Sequence, residues 1–394
     1  MFHPYIIEPI VSGSFLIGND DTSDFTFTRW IMESFFHNIN SLGDNYMSIN
    51  ETAAVQAPQQ LPPDAQILQL ALGAFVSQAI YVAAKLGIAD ILADGPRDVK
   101  YLSEKTASHE RSLYRLLRAC ASTGAFAEVS PKTFANTAMT ESLRSDHPRS
   151  TRDLTIWMNE EPHWRVYGEL LYSVKTGNPS WDKVHGEPVF NYLFNTDVAL
   201  GEIFNRAMTS YSHQSIGPIL EAYDFSGSKT VADIGGGFGH LIAAVLAATP
   251  DAKGVLFDVA QVLDGAPEML ERYGVQERVE LVAGDFCADI PVKADIYMLK
   301  HIIHDWYEEK CQTILRNIRK NMPDDAKVLI IDAVVPEDDR PDLGKIIDLE
   351  MLMTPGGVER TATEFTELLA DSGFKLTRII PTVGPISIVE AVKA

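Results

Sequence analysis

Three short stretches of the sequence carry groups that could do chemistry together. In the first, the apolar run Val231-Ala232-Asp233-Ile234 leads into Gly235-Gly236-Gly237-Phe238-Gly239. Glycines at the end of a strand let the backbone come close to a bound molecule. A dinucleotide fingerprint would need glycine at 240, where His240 stands, and Asp233 would set a like charge beside the pyrophosphate. An acid at a glycine loop suits a cationic ligand. The second stretch is acidic: Asp258 and the pair Asp285-Phe286 each close a further apolar run. Asp258 is placed to accept hydrogen bonds from ribose hydroxyls, and Asp285 with Phe286 to hold the edge and face of an adenine. Aspartate after a strand also commonly caps a turn, a reading that three in succession make harder to sustain. S-adenosylmethionine carries a sulfonium and an ammonium and no phosphate, and it fits this charge pattern. The expected contacts are Asp233, Gly235, Gly237, Asp258, Asp285 and Phe286.

The third stretch is Lys300-His301-Ile302-Ile303-His304-Asp305-Trp306, after a fourth apolar run and before a helical pattern. An aromatic hydroxyl is a poor nucleophile until it loses its proton, and imidazole is the side chain whose pKa lies nearest working pH, so His304 is the candidate general base. His301 and His304 are three residues apart, a spacing a metal could use. No third ligand motif of the HExxH kind accompanies them, and no metal is expected.

On these residues the chain resembles the caffeate-type O-methyltransferases of plants, fungi and bacteria, whose signature here is a lysine, three residues, then His-Asp-Trp. The resemblance runs over about residues 65 to 394 and includes Asp233 to Gly239, Asp258, Asp285-Phe286, Lys300, and His304 to Trp306. It also includes Phe204-Asn205 with Met208 and Ser212, and Pro355-Gly356-Gly357-Val358-Glu359-Arg360-Thr361. It implies a methyltransferase that moves a methyl group from S-adenosylmethionine to a hydroxyl of a small aromatic or polyketide-like molecule, with His304 as base. Lys300 and Ser212 join the cofactor contacts. Glu359 and Asp332 flank and orient the base; the family usually carries glutamate at the latter position, so the shorter Asp332 is expected to reach His304 through water. His301 occupies a position that is often tryptophan in the family. Met208, Asp305, Met351 and Trp157 are candidate walls of the acceptor pocket, although methionine and aromatic residues so spaced more often form plain core. Two rivals are a family member turned to another reaction, such as hydroxylation, and a winged-helix sensor of the cofactor.

The elements that must position these groups are legible as patterns. Apolar strands at Thr230–Ile234, Val255–Val259, Val279–Ala283, Asp295–Leu299 and Val328–Asp332 alternate with helical stretches, which predicts a doubly wound, Rossmann-like α/β domain over residues 229–394. Lys375–Pro381 and Ile386–Val392 predict a closing hairpin. Residues 64–160 read as a helical, winged-helix-like dimerisation domain, with helices over Val99–Lys105 and Glu110–Ser122 and a short hairpin from Ala125. Residues 161–228 read as a helical linker contributing to the substrate pocket, and residues 1–63 as a poorly ordered appendage in which Met47 opens a more ordinary leader. The stretch from Ile67 to Leu86 is apolar on all sides, so one face belongs to its own domain and the other to a partner subunit, predicting a homodimer.

Composition sets the outer bounds. A chain of 394 residues exceeds one typical domain, and 46% hydrophobic with 22% charged residues is globular. The formal net charge of -21 opposes nucleic-acid binding, so Arg111, Arg115 and Arg118 read as the solvated face of a helix whose core face is Leu113, Leu116, Leu117 and Cys120. Three scattered cysteines without a CxxC pair point away from disulfides and towards a reducing cytoplasm. No Lys or Arg precedes Arg29, unlike an export signal. Gln69, Ser77 and Gln78 interrupt the longest apolar run, so no membrane span is expected.

Overall fold

The structure, a computed structural model, describes residues 61–394, so residues 1–60 of the expected appendage, Met47 among them, lie outside the described residues, and Pro63 belongs instead to the first helix. Two units are distinguished, up to Gly73 and from Ala74 onwards. In the first, helix α1 (Pro63–Ala71) begins on a proline, whose fixed φ suits a first helical turn. Its Ile67 and Leu70 are exposed.

The second unit holds the rest of α2 (Gly73–Lys85), whose Ala83 joins a core with Leu102, Leu113, Leu117, Cys120, Phe126 and Phe134. Around that core stand β1 (Arg97–Asp98), α3 (Val99–Thr106), α4 (Glu110–Ser122), β2 (Phe126–Ser130) and β3 (Thr133–Asn136). The strands form an antiparallel sheet in the order β1-β3-β2. Asp98 starts α3 by accepting a hydrogen bond from the Tyr101 amide at 3.0 Å. Arg111, Arg115 and Arg118 are exposed on the opposite face of α4 from Leu113 and Leu117, as its periodicity requires.

A run of short helices follows, among them α5 (Arg152–Asn159), α6 (Glu161–Tyr167) and α7 (Ser180–His185), and then the 25-residue α8 (Val198–Ala222). They enclose an aromatic cluster in which Trp157 lies 5.0 Å from Phe204 and 4.5 Å from His163 between ring centres.

The remaining strands are β4 (Thr230–Ile234), β5 (Lys253–Asp258), β6 (Val279–Ala283), β7 (Ile296–Lys300), β8 (Lys327–Asp332), β9 (Val334–Val335), β10 (Arg360–Thr361), β11 (Phe374–Pro381) and β12 (Ser387–Lys393). Seven of them make one sheet in the order β11-β12-β8-β7-β4-β5-β6. The central five are parallel, and β12 and β11 return antiparallel as the expected hairpin. Boundaries differ by a residue or two. Lys253 joins β5 because its amide pairs with Lys229, and Val259 leaves it because its amide turns back to Asp258 Oδ1 at 2.7 Å. One face of the sheet is covered by α9 (His240–Ala248) with Ile216 and Ile219 of α8, the other by α10 (Glu308–Asn321) and α12 (Ala362–Asp371). Between these last two runs α11 (Gly344–Met353).

Candidate active site

The strand order decides which side chains meet. The carboxyl ends of β8, β7, β4, β5 and β6 lie side by side, so Asp332, Lys300, Gly235, Asp258 and Asp285 line one edge in that order. Chain order reverses between β4 and β7, opening the crevice where such sheets bind ligands. Gly235, Gly237 and Gly239 all adopt left-handed φ, of 69°, 61° and 80°. A side chain at Gly235 would also meet Ile302 at 2.5 Å, whereas at Gly237 it would meet open space.

Asp258 braces this loop, accepting from the Gly237 amide at 2.9 Å as well as from Val259. Asp233 turns in beneath the loop and accepts from the Ile242 amide at 3.3 Å; burial lifts its pKa to about 7 against the pull of Lys300. Lys300 donates to Ser212 Oγ at 2.8 Å, and burial lowers its pKa to about 8 although Asp233 and Asp332 oppose. Asp285 accepts from the Cys287 amide at 2.8 Å. Each acid thus also satisfies backbone, and Asp233 acts on the loop from below. Phe286 stands edge-on to Trp306 at 6.3 Å. The open side of Gly237, an acceptor carboxylate beside it and an aromatic wall two strands away suit an adenosine with a cationic tail.

The base sits one turn beyond β7. His304 is 12% exposed, and its Nδ1 lies 2.7 Å from Oε1 of Glu359, itself 2% exposed. That contact fixes the ring and leaves Nε2, 3.5 Å from Asp305 Oδ1, as the working nitrogen. Burial alone would lower the His304 pKa, but Asp332, Asp305 and Glu359 together outweigh it and raise it to about 10. Burial lifts Asp305 to about 7 and Asp332 to about 6, each drawn back by His304. Asp332 accepts from the His301 amide at 2.9 Å; among the described residues no direct hydrogen bond joins it to His304. His301, His304 and Asp332 bring potential ligand atoms within 4.8 Å of one another. The two imidazoles stack at 30°, and Glu359 takes Nδ1 of His304, which leaves His304 only its Nε2 as a ligand atom.

What holds the His304 turn is Arg360, buried, whose guanidinium donates to the carbonyls of Ile303 at 3.1 Å and Trp306 at 3.0 Å. Gly357 packs so closely beneath it that a Cβ there would stand 1.9 Å from the His304 carbonyl oxygen, which itself accepts from the Val358 amide at 2.9 Å.

The sequence matches the O-methyltransferase domain family over residues 167–375 and the O-methyltransferase dimerisation domain family over residues 68–146. The chain belongs to the S-adenosylmethionine-dependent O-methyltransferases. A phenazine O-methyltransferase of Lysobacter antibioticus is 42% identical over 84% of this chain and 96% of its own length. The mitomycin biosynthesis 6-O-methyltransferase of Streptomyces lavendulae is 40% identical over 87% of this chain and 97% of its own. A methyltransferase of calicheamicin biosynthesis, solved with S-adenosylhomocysteine bound, superposes with a TM-score of 0.76 at 32% identity, covering 85% of this chain and 100% of that one.

Within this methyltransferase Gly235, Gly237, Asp258, Asp285 and Phe286 lie along the sheet edge at the glycine loop, and the other expected site residues fall into two groups. His304, Glu359, Asp332, Asp305, Lys300 and Ser212 form one connected cluster with Asp233. Trp157 is instead buried in the aromatic cluster, with Met208 packed against it, and Met351 holds the Gly356 and Gly357 amides with its carbonyl. Sequence reasoning weighed His301 only as half of a metal pair, did not single out Tyr211, whose ring lies 5.2 Å from it, and gave Arg360 no task. It also passed over Arg206, Thr209 and Ser210, which with Asp153, Asn205 and Phe238 line a cavity of about 210 Å³ beside the glycine loop. Polar positions on one face of α8 were the available signal.

Proposed function

We propose that this O-methyltransferase uses His304 as general base to deprotonate a hydroxyl of a small aromatic or polyketide-like acceptor, with Glu359 orienting the imidazole. The observation that carries the reading is the 2.7 Å contact between Glu359 and Nδ1, which directs Nε2 to the acceptor side. When bound, S-adenosylmethionine supplies an electrophilic methyl group on a sulfonium whose charge opposes protonation of His304. The proton of the acceptor hydroxyl passes to Nε2 and is held there as imidazolium, balanced by Glu359 and Asp305. Asp258, Asp285 with Phe286, Gly235 and Gly237, and Lys300 with Ser212 hold the cofactor. Asp332 acts on the base through its charge and by pinning the His301 amide. Met208 and Met351 are walls of the acceptor pocket, to which the helical segment 161–228 contributes.

The phenazine relative supports a fused aromatic acceptor, and the mitomycin-biosynthesis relative a secondary metabolite. We read the chain as a homodimer of the cytoplasm, its α3–α4 and three-stranded sheet being a winged-helix outline used for dimerisation rather than DNA. The test is a screen of hydroxylated aromatics with the methyl donor and mass spectrometry for the gain of one methyl group. In it, His304→Ala should lose about 100- to 10,000-fold in turnover, with S-adenosylhomocysteine affinity nearly unchanged and partial rescue at high pH. EDTA should leave the wild-type rate unchanged. Wild-type turnover by His304→Ala across the pH range would remove the base.

A further inference from the structure

His301 is a catalytic-cluster ring to which methyl transfer has so far given no task. Its φ of 56° lies in the left-handed region that side-chain-bearing residues seldom adopt, at the turn from β7 to His304. The backbone is committed: the amide reaches Asp332 Oδ1 at 2.9 Å. The ring is not. It stacks on His304 at 5.1 Å between centres, with Tyr211 at 5.2 Å on α8. Among the described residues neither of its nitrogens has a hydrogen-bond partner, although both are shut off from water. Nδ1 stands 3.7 Å from Asp332 Oδ1, beyond hydrogen-bond range. Buried polar atoms are rarely left so, and an unmade bond there is costly. Burial, with Lys300 and His304 alongside, keeps this imidazole neutral, so it offers one donor and one acceptor. The side chain retains 17% exposure, and a half-turn about Cβ–Cγ exchanges ring nitrogens with ring carbons in the same envelope.

We propose that His301 reads a second polar atom of the acceptor, lying next to the hydroxyl that is methylated. The proposal rests on His304 being the base, which places that hydroxyl at Nε2. Two nearly parallel imidazoles this close can each address one of two neighbouring atoms on a fused aromatic ring. The favoured acceptors carry a ring nitrogen, amine, hydroxyl or carbonyl in the ortho or peri position. An analogue with C–H there leaves the His301 nitrogens unpaired and is rejected for that reason.

The experiment compares 1-hydroxyphenazine with 1-hydroxyanthracene, which share an outline and differ in nitrogen or C–H at the two free positions of the central ring, one of them peri to the hydroxyl. Calorimetry on the full-length enzyme loaded with S-adenosylhomocysteine should show the phenazine bound about 10- to 100-fold more tightly. In His301→Phe the two should fall within about threefold of each other, because the phenazine weakens, and His301→Gln should recover part of the difference. Cofactor affinity within about twofold of wild type verifies each variant's fold, and His301→Leu takes the place of His301→Phe if the latter fails that check. Equal wild-type binding, binding of neither compound, or a preference that survives loss of the imidazole would overturn the proposal. Turnover of the same proteins, with S-adenosylmethionine in place of S-adenosylhomocysteine, reports on the base separately: a wild type that discriminates in binding yet methylates neither compound would count against His304 and leave the binding role of His301 intact.

Discussion

A phenol and an unperturbed imidazole are poorly matched as acid and base: with pKa values of about 10 and 6.5, proton transfer is uphill by roughly 5 kcal/mol. In this site burial pulls the imidazole down further, yet Asp332, Asp305 and Glu359 reverse it and bring His304 to about 10, near the phenol itself. The same cluster keeps the free enzyme's base protonated at neutral pH. Only neutral imidazole accepts a proton, so kcat/KM should fall as pH drops through the raised pKa, and its acidic limb should lie well above 6.5. Removing one of the raising carboxylates, as in Glu359→Gln, should move that limb to lower pH and reduce turnover by less than His304→Ala does. A pH–rate profile of both proteins on one acceptor checks this; a wild-type limb at 6.5, or one indifferent to Glu359→Gln, would contradict it. At this scale the sequence named His304 because motif and residue chemistry agree on it, and Glu359 by its place in the motif alone. His301 was weighed only as a metal ligand, because its two unpaired nitrogens are a fact of burial, and burial within a turn leaves no periodic trace.

At the scale of elements, the site depends on a short turn gripped from a distant loop. The strands and their glycine loop were readable, since buried parallel strands are continuous apolar runs and glycine is favoured where φ is positive. The grip was not. Arg360 and Ile303 are 57 residues apart, and nothing local in Pro355 to Thr361 shows that a buried guanidinium will collect the carbonyls of another turn. Gly357 belongs to the same grip, its φ being ordinary and its need for glycine arising wholly from contact with His304 and Asp305. Gly357→Ala should therefore force that turn outwards, at a cost of about 1 to 3 kcal/mol in stability, and break the 2.7 Å alignment of His304 with Glu359. The expected outcome is a fall in kcat of about tenfold or more with S-adenosylhomocysteine binding kept, because the glycine loop of β4 is untouched. Thermal melting, calorimetry and turnover on one preparation would check it, and unchanged kcat would mean that the turn yields without moving its base.

For the whole molecule the open question is what covers the apolar N-terminal helices. Pro63–Lys85 is long and apolar enough by composition to cross a membrane, and only 11% of its most apolar window is buried. Most of that stretch nevertheless falls within the matched dimerisation domain, residues 68–146. Ile67, Leu70 and Phe75 are 69%, 77% and 74% exposed in a single chain. Burying such side chains is worth about 1.5 to 3 kcal/mol each, so the six supplied by two copies offset the several kcal/mol that association costs. Each chain also carries a formal charge of -21, and repulsion between copies should weaken the dimer at low salt. Sedimentation of the wild type should accordingly give twice 43.6 kDa, with a dimer that tightens as salt is raised. Leu70→Asp combined with Phe75→Asp would bury two new carboxylates per chain without partners, and should leave monomers at micromolar concentration. A membrane role makes the opposite forecast: the wild-type chain would float with zwitterionic vesicles, and the double substitution would release it to the soluble fraction as a monomer or a dimer alike. Flotation and sedimentation on the same two proteins therefore separate the readings, and a wild-type monomer that ignores vesicles would leave both without support.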